Sequence, residues 1–331
     1  MAHVVRACEL PLVARFLASQ LPASLKLHGE TLALLHGIDG AQEVQPGDDL
    51  VINATGFEAL QAVDAAVDGE GKFDAVSAAV SRRHYGSVDR PLHLQLSFFA
   101  TDEAAAAELF EVVLNDLRPP PTSLMFAGLE SRFLSVARAQ FGGGQLGLST
   151  ASQAAETQNL HESSSHWVSP CLLLWRPPKT RRPCPDVPVP VGCTLGPLSA
   201  ADSYLVNDTW EYGKTEVTRV QRVMPCIEHQ LSMGLRLEET GELVAWAVAD
   251  HPYGAVGKVF TLEAHRRKGY SAVVCSALTR LVEADAEGER PRCAAPFCFI
   301  VADNGPSLSL FKDRLGYVEA EACSRVDWVG F

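Results

Sequence analysis

Positive charge is scarce in this sequence. Lys and Arg number 28 against 40 Asp and Glu, which gives a formal net charge of −12 over 331 residues. Such a chain repels phosphate backbones, so we predict no nucleic-acid partner. Long apolar runs are also missing, because no stretch reaches the roughly 20 residues that span a bilayer. We therefore predict no membrane partner, and the hydrophobic content of 47% is that of an ordinary folded chain.

Metal-binding and disulfide patterns are missing as well. The nine cysteines are scattered and contain no C-x-x-C pair, and the ten histidines contain no H-E-x-x-H spacing. Neither set predicts a metal site, and an odd, scattered set of cysteines does not predict a disulfide framework. Several cysteines stand inside apolar runs, which is typical of buried reduced thiols. We predict an intracellular, cytoplasmic protein without a bound metal.

The length suffices for two domains of ordinary size. Prolines cluster between Pro177 and Pro190 and predict a stiff connection between domains. A proline-rich recognition motif is the alternative interpretation of this segment. We predict domains at residues 1–175 and 192–331, joined by a linker at residues 176–191.

The first half alternates predicted strands and helices. Apolar patterns predict strands at Thr31–Leu35, Asp49–Asn53, His93–Phe99 and Val168–Trp175. They predict helices at Leu10–Leu17, Phe57–Val67, Asp74–Val80, Ala104–Leu117 and Leu129–Ala139. Thr101 is the predicted N-cap of the helix at Ala104–Leu117.

The second half is predicted as strand, two helices, three antiparallel strands, helix, strand, helix, strand. Its first strand is Cys193–Leu195, and Ser199 and Thr215 are the predicted N-caps of the two helices. The strands Met233–Leu237 and Leu243–Ala249 flank a turn that predicts a hairpin.

A basic turn connects a short strand to an amphipathic helix in this half. The turn reads Arg266-Arg267-Lys268-Gly269-Tyr270-Ser271 and fits R/Q-x-x-G-x-G/A except at its last place. Unpaired amides at a helix N-terminus favour anions, glycine permits close approach of the main chain, and three cations add positive charge. The pattern predicts a pyrophosphate site formed by these six residues.

A second signature follows the strand Phe297–Val301. It consists of Asn304-Gly305-Pro306-Ser307, then Leu310-Phe311, then Leu315-Gly316-Tyr317. We predict that Asn304 begins a helix and that Gly316 ends it. The two signatures, in this order and about one strand–helix unit apart, resemble those of the GNAT acyltransferase superfamily.

Two further stretches narrow the resemblance to the glycine N-acyltransferases. LSAADSYLVNDTWEYG at Leu198–Gly213 and LPASLKLHG at Leu21–Gly29 resemble segments of those enzymes. The resemblance implies a mixed α/β (α+β) fold with two tandem GNAT-like domains, each a mostly antiparallel mixed sheet flanked by helices. It implies acyl-CoA as co-substrate and acyl transfer to the amine of glycine or another small amine by the C-terminal domain. Because members are often mitochondrial, a mitochondrial location is the alternative, and the oligomeric state stays open.

The resemblance also implies the coenzyme contacts. Main-chain groups of Val259, Phe260 and Thr261 would bond pantetheine and the thioester oxygen, and Asn304 would lie near the pantetheine arm. Phe311 is also an expected coenzyme contact. It stands at the place where many superfamily members have a tyrosine that protonates the leaving thiolate, and phenylalanine has no proton to donate.

The general base of the resembling enzymes is missing. Their proposed base is a glutamate eleven residues before the first arginine of the basic motif, and that position here is Ala255. The nearest ionisable candidates are Asp250 and His251, with Tyr253 in the following turn. We predict that His251 or Asp250 deprotonates the amine through a water molecule. The alternative function is a CoA-binding protein with weak or lost catalysis and a regulatory role, for which Ala255 is the main argument.

Overall fold

The computed structural model describes residues 2–36, 50–53, 56–58, 60–61, 76–84, 93–116, 123–141, 167–178, 183–321, 323 and 325–330. The chain divides into two compact units. Unit 1 comprises Met1–Leu27, Ala41–Cys171 and Arg325–Phe331, and unit 2 comprises His28–Gly40 and Leu172–Ser324. The fold is mixed α/β with helices flanking the sheets, which confirms the predicted class. The domain boundaries given above stay a prediction.

Strands and helices are numbered in chain order. The strands are β1 Ala2–Val4, β2 Leu50–Asn53, β3 Ser77–His84, β4 His93–Ala100, β5 Ser123–Glu130, β6 Trp167–Trp175, β7 Cys193–Gly196, β8 Ser232–Leu237, β9 Leu243–Ala249, β10 Val256–Thr261, β11 Phe297–Val301, β12 Val318–Glu319 and β13 Arg325–Gly330. The helices are α1 Leu10–Ser19, α2 Leu25–His36, α3 Glu103–Asp116, α4 Leu134–Phe141, α5 Ser203–Thr209, α6 Met224–His229, α7 Tyr270–Ala286 and α8 Gly305–Ser309. Shorter helical turns at Glu216–Thr218 and Arg219–Val223 precede α6, and residues 56–58 and 60–61 are also helical.

Unit 1 contains the strand order β1-β2-β3-β4-β5-β13. All of these neighbours pair antiparallel except β4 and β5, which are parallel. Helix α3 connects the parallel pair, as a crossover must. The core beneath is aromatic: the ring centroid of Phe110 lies 4.6 Å from that of Phe98, 5.3 Å from that of Phe126 and 5.4 Å from that of Phe141.

Unit 2 contains an antiparallel sheet with the strand order β7-β8-β9-β10. In the same unit, β11 and β12 each neighbour β6. Every residue of β9 is buried, and α7 packs on β8, β9 and β10. The packed face of α7 includes Val274, Leu278 and Val282, each fully buried, whereas Leu281 is exposed. The predicted order of elements in this half is present.

Three predictions for the first half are wrong. The strand expected at Thr31–Leu35 is the end of α2, because a short apolar run fits either period and Gly29 lies inside the helix rather than ending it. The helix expected at Asp74–Val80 is replaced from Ser77 onward by β3, whose pairing with β2 and β4 overrides its alanine-rich composition. The helix expected at Leu129–Ala139 begins only after Glu130, with a helical turn at Ser131–Phe133 followed by α4, since Leu129 and Glu130 are the last residues of β5.

Part of the proline-rich segment lies along α7 in unit 2. The amide of Val187 donates to Ser276 Oγ over 3.4 Å, and Cys184 Sγ lies 3.9 Å from the Ser276 carbonyl oxygen. Cys184 is buried. Cys184 and Val187 therefore pack against α7, whereas Val189 and Val191 are exposed. In the part of the chain that the structure describes, no helix is both long and apolar enough to cross a membrane.

Candidate functional site

Two neighbouring strands of unit 2 belong to different sheets. β10 is the last strand of the four-stranded sheet and pairs with β9, whereas β11 pairs with β6. The two strands contact each other, but each has its hydrogen-bonded neighbour on the side away from the other. A cleft of about 420 Å³ opens at this point. That volume is within the range of small-molecule sites.

The cleft brings together residues from both sequence signatures. Its lining is Val259, Phe260, Thr261, Arg266, Ser271, Asn304, Pro306, Ser307 and Leu310. The first six are among the predicted coenzyme contacts. The last three belong to the second signature but had been assigned no contact, because the motif alone does not tell which side of its helix faces the cleft.

The N-terminus of α7 opens toward solvent beside this lining. Gly269 is its N-cap residue, with φ 79° and ψ 7° and no side chain to cap the helix amides. A Cβ added there would meet nothing within 4 Å, so the space beside this residue is open. Arg267 also has a left-handed φ of 64°. This turn presents main-chain N–H groups to an anion.

Positive charge surrounds this helix end. Arg266, Arg267 and Lys268 are exposed, and Arg266 Nε donates to the Thr261 carbonyl oxygen over 3.3 Å. Lys268 Nζ lies 3.5 Å from His265 Nδ1. The hydroxyl of Tyr270 lies 3.9 Å from Cys193 Sγ, and burial together with this contact raises the pKa of Tyr270. Arg266 is thus the cation of the motif that lines the cleft.

The second signature has a structural role as well as a place in the cleft. Asn304 Oδ1 accepts from the Ser307 amide over 3.2 Å and caps α8, as predicted for a helix start. Phe311 is only 3% exposed and lies outside the lining. Its ring packs edge-on against Tyr317 at 5.0 Å between centroids, within the core. The Tyr317 hydroxyl is bonded to Thr279 Oγ1 at 2.9 Å.

Asp250 forms an ion pair with Lys258 of β10. The side chains of the two residues are 18% and 8% exposed, so water screens the pair little. Lys258 Nζ also lies 3.6 Å from Cys226 Sγ and 4.7 Å from the centroid of the Trp210 ring. Burial disfavours the ammonium, but the neighbouring Asp250 carboxylate outweighs it and raises the pKa of Lys258. The sequence offers Lys258 as a cation for phosphate or an acceptor carboxylate, or as a solvated residue. The structure instead buries its side chain and pairs it with Asp250.

The imidazole of His251 lies near a second histidine. Its ring centroid is 5.7 Å from that of His229, and its amide donates to Cys226 Sγ over 3.2 Å. Ala255, at the position of the missing glutamate, is 1% exposed. The described lining of the cleft contains none of Asp250, His251 and Ala255. No group of His, Cys, Asp or Glu in the described residues could hold a metal ion.

Comparison with known proteins identifies the class of this second unit. Residues 232–326 match the FR47-like protein family. This segment contains both signatures and the whole cleft. It belongs to the GNAT acetyltransferase superfamily, which confirms the superfamily part of the resemblance. The narrower likeness to glycine N-acyltransferases stays a prediction.

One solved structure shares this fold over the full chain. A Drosophila protein aligns with a TM-score of 0.69 and 16% identity, covering 100% of this chain and 98% of its own. A GCN5-related N-acetyltransferase from Sphaerobacter thermophilus aligns with a TM-score of 0.49 and 12% identity, covering 100% and 95%. At its identity the Drosophila protein shows a shared fold alone. Among curated proteins, no sequence matches this chain significantly.

Proposed function

We propose that this protein is an acyl-CoA-dependent N-acyltransferase that transfers an acyl group to the amine of glycine or another small amine. The observation that supports it is the cleft at the divergence of β10 and β11, lined from both signatures. The match of residues 232–326 to a GNAT-type family supports transferase activity. The glycine or small-amine acceptor rests on the sequence resemblance.

The residues present fit coenzyme A in two respects. A pyrophosphate needs amide donors and positive charge, which the open N-terminus of α7 and Arg266 supply. Pantetheine carries amide groups that pair with an exposed strand edge, and β10 is the edge strand of its sheet. We assign pyrophosphate contacts to Arg266, Arg267, Lys268, Gly269, Tyr270 and Ser271. We assign contacts with pantetheine and the thioester to Val259, Phe260, Thr261 and Asn304.

The reaction forms one bond and breaks another at the thioester carbonyl. The neutral amine attacks the carbonyl carbon, and main-chain donors of β10 stabilise the negative charge that develops on the oxygen. The carbon–sulfur bond then breaks, the amine loses a proton, and the thiolate of coenzyme A gains one. Phe311 has no proton to give and Tyr317 is bonded to Thr279 in the core. We therefore assign protonation of the thiolate to solvent.

Of the two predicted bases, His251 is the better candidate. The Asp250 carboxylate is paired with Lys258, and protonating it would leave a buried ammonium without its counter-charge. Histidine is the commonest general base near neutral pH. We expect His251→Gln to lower kcat ~100-fold and to remove the acidic limb of the pH–rate profile. An unchanged profile would exclude His251 as the base.

The direct test combines binding and turnover. Titration calorimetry with CoA measures binding, and free-thiol release from acetyl-, benzoyl- and longer acyl-CoA measures transfer. Glycine, other amino acids and polyamines serve as acceptors, and mass spectrometry identifies the acylated amine. Binding of CoA with acceptor-dependent thiol release is the expected result. Absence of CoA binding would refute the proposal.

The alternative is a CoA-binding protein with weak or lost catalysis. Ala255 favours it, because alanine has no proton-accepting group at the position of the family glutamate. CoA binding without turnover across the whole panel supports this alternative. Ala255→Glu then discriminates further, since a rate gain of more than ~10-fold indicates an enzyme that has lost its base. The matched control is Ala255→Gln, because glutamine is nearly the same size as glutamate but does not act as a base.

A further inference from the structure

The irregular part of β10 is a β-bulge centred on Lys258. The strand pairs with β9 at Val256↔Ala249 and Gly257↔Val248, and pairing resumes only at Phe260↔Trp246. Two residues of β10 therefore stand opposite one residue of β9, which defines a bulge. Lys258 has a φ of 47°, a left-handed conformation that residues with a Cβ seldom adopt. Such a conformation persists only when the surroundings fix it.

The side chain of Lys258 supplies that constraint. It is anchored at its charged end by the Asp250 carboxylate and flanked by the Trp210 ring, with its side chain almost wholly buried. Asp250 is itself held at both backbone groups. Its amide donates to the Ala255 carbonyl oxygen over 2.7 Å, and its carbonyl oxygen accepts from the Gly254 amide over 2.6 Å. The anchor for Lys258 is therefore a fixed point of the β9–β10 turn.

The carboxylate also lies directly against the bulged main chain. A Cβ added to Gly257 would stand 2.8 Å from Asp250 Oδ2, so only glycine permits this approach. The residue on the other side of Lys258 is Val259, which lines the cleft together with Phe260. Lys258 of the ion pair therefore directly precedes Val259 in the main chain, and Val259 belongs to the wall of the cleft.

The geometry points to Asp250 and Lys258 as positioning residues, whose ion pair holds the β10 bulge so that the main chain of Val259 and Phe260 meets the reacting thioester. This inference rests on the proposed acyl transfer and gives Asp250 a role other than that of a base. The pair contacts the bulge and not the cleft, so it acts through the backbone. A misplacement of an oxyanion donor by about 1 Å lowers a rate ~10- to 100-fold.

The test separates backbone position from charge. In an Asp250→Asn background no unpaired carboxylate remains, and Lys258→Ala is compared there with Lys258→Gly. Both double variants lack the ion pair, but glycine adopts the left-handed conformation freely and alanine does not. Lys258→Met with Asp250→Asn fills the vacated volume, should the alanine variant fail to fold. Lys312→Met is the control, since Lys312 forms an exposed pair with Glu319 at 2.7 Å.

We expect kcat of the alanine and methionine double variants to fall ~10- to 100-fold, with the KM for acyl-CoA and the Kd for CoA within ~3-fold of wild type. The glycine double variant should recover at least ~5-fold of the lost kcat, and Lys312→Met should match wild type. Equal kcat in the glycine and alanine double variants, or wild-type kcat in both, overturns the inference. Failure of the proposed function is seen separately, because the wild-type protein would then release no thiol with any acceptor, whether or not it binds CoA.

Discussion

Each unit contains a strand–helix–strand segment, and the two segments differ at the same two places. In unit 1, β4 and β5 pair directly as parallel strands, from His93↔Ser123 to Leu96↔Phe126. In unit 2, β10 and β11 belong to different sheets and leave a cleft. In unit 1, the N-terminus of α3 is capped by Asp102, whose Oδ1 accepts from the Ala105 amide over 2.9 Å. In unit 2, α7 begins at Gly269 with no capping side chain.

The contrast separates a structural helix start from a ligand-binding one. In unit 1, the Asp102 carboxylate already accepts a hydrogen bond from an amide of α3. The direct pairing of β4 with β5 leaves no gap between these two strands. The start of α7 has open space at Gly269 and lies beside a cleft and three cations. One arrangement stabilises the fold, whereas the other keeps the same donors available for a phosphate group.

The largest expected effect is that of a substitution at Gly269, which would remove the ligand-binding character of the α7 start. We expect Gly269→Val to raise the Kd for CoA ~100-fold, because a branched side chain tolerates the left-handed turn poorly and enters the space before the α7 amides. Titration calorimetry measures the change. Gly241→Val is the matched control, since Gly241 has a φ of 70° and open space but lies in the β8–β9 turn. A Kd unchanged by Gly269→Val would remove the phosphate site from α7.

A second prediction sharpens the contrast through pH. Burial lowers the pKa of His28, in unit 2, to about 4, whereas the hydrogen bond from Arg6 lowers the pKa of Glu9, in unit 1, to about 2. A histidine kept neutral by the fold loses stability as pH falls below its unfolded value near 6.5 and toward 4. We expect His28 to contribute about 2 kcal/mol less stability at pH 5 than at pH 7. Glu9 should contribute no change until the pH falls below about 4.5.

Urea denaturation of His28→Leu and wild type at both pH values measures this difference. The variant should lose less stability than wild type between pH 7 and pH 5, and Glu9→Gln should lose as much as wild type. Parallel losses in His28→Leu and wild type would show that His28 is not kept neutral by the fold.

The smallest expected effect concerns the capped helix. Asp102→Ala should lower the stability of α3 by about 1 kcal/mol, because the Ala105 amide loses its acceptor. Hydrogen exchange of peptides covering Glu103–Asp116 should become faster, while the Kd for CoA stays at the wild-type value. A second CoA site appearing in this variant would contradict the idea that strand pairing also closes unit 1.

The sequence predicted the grouping of the cleft residues better than their surroundings. Arg266, Ser271 and Asn304 line the cleft together, and they could be named from the sequence because helix starts have a local signature of glycine, cations and caps. Their coenzyme contacts stay a prediction. The ion pair of Asp250 and Lys258 was not found, since a left-handed lysine and its bulge are set by tertiary contacts. Thr101 was predicted to cap α3, but Asp102 does so, because either residue type suits the position.

The fold of the first half was harder to predict for a related reason. Thr31–Leu35 is apolar without a clear period, and only packing decides that it continues α2. Ser77–His84 is a strand because β2 and β4 pair with it, not because its residues favour extended backbone. The helix predicted at Phe57–Val67 is described only at residues 56–58 and 60–61, and its remainder lies outside the described residues.

The pairing of β13 with β5 gives the chain an order of assembly. β5 ends at Glu130, yet its partner, Arg325–Gly330, is made almost two hundred residues later. During synthesis the edge of β5 stays unpaired until nearly the whole chain has been made. The sheet of β7 to β10 is complete in sequence once Thr261 has been added. An edge that waits this long is open to pairing with other chains. We therefore expect misfolding and aggregation during synthesis to begin in unit 1, although most of its sequence leaves the ribosome first.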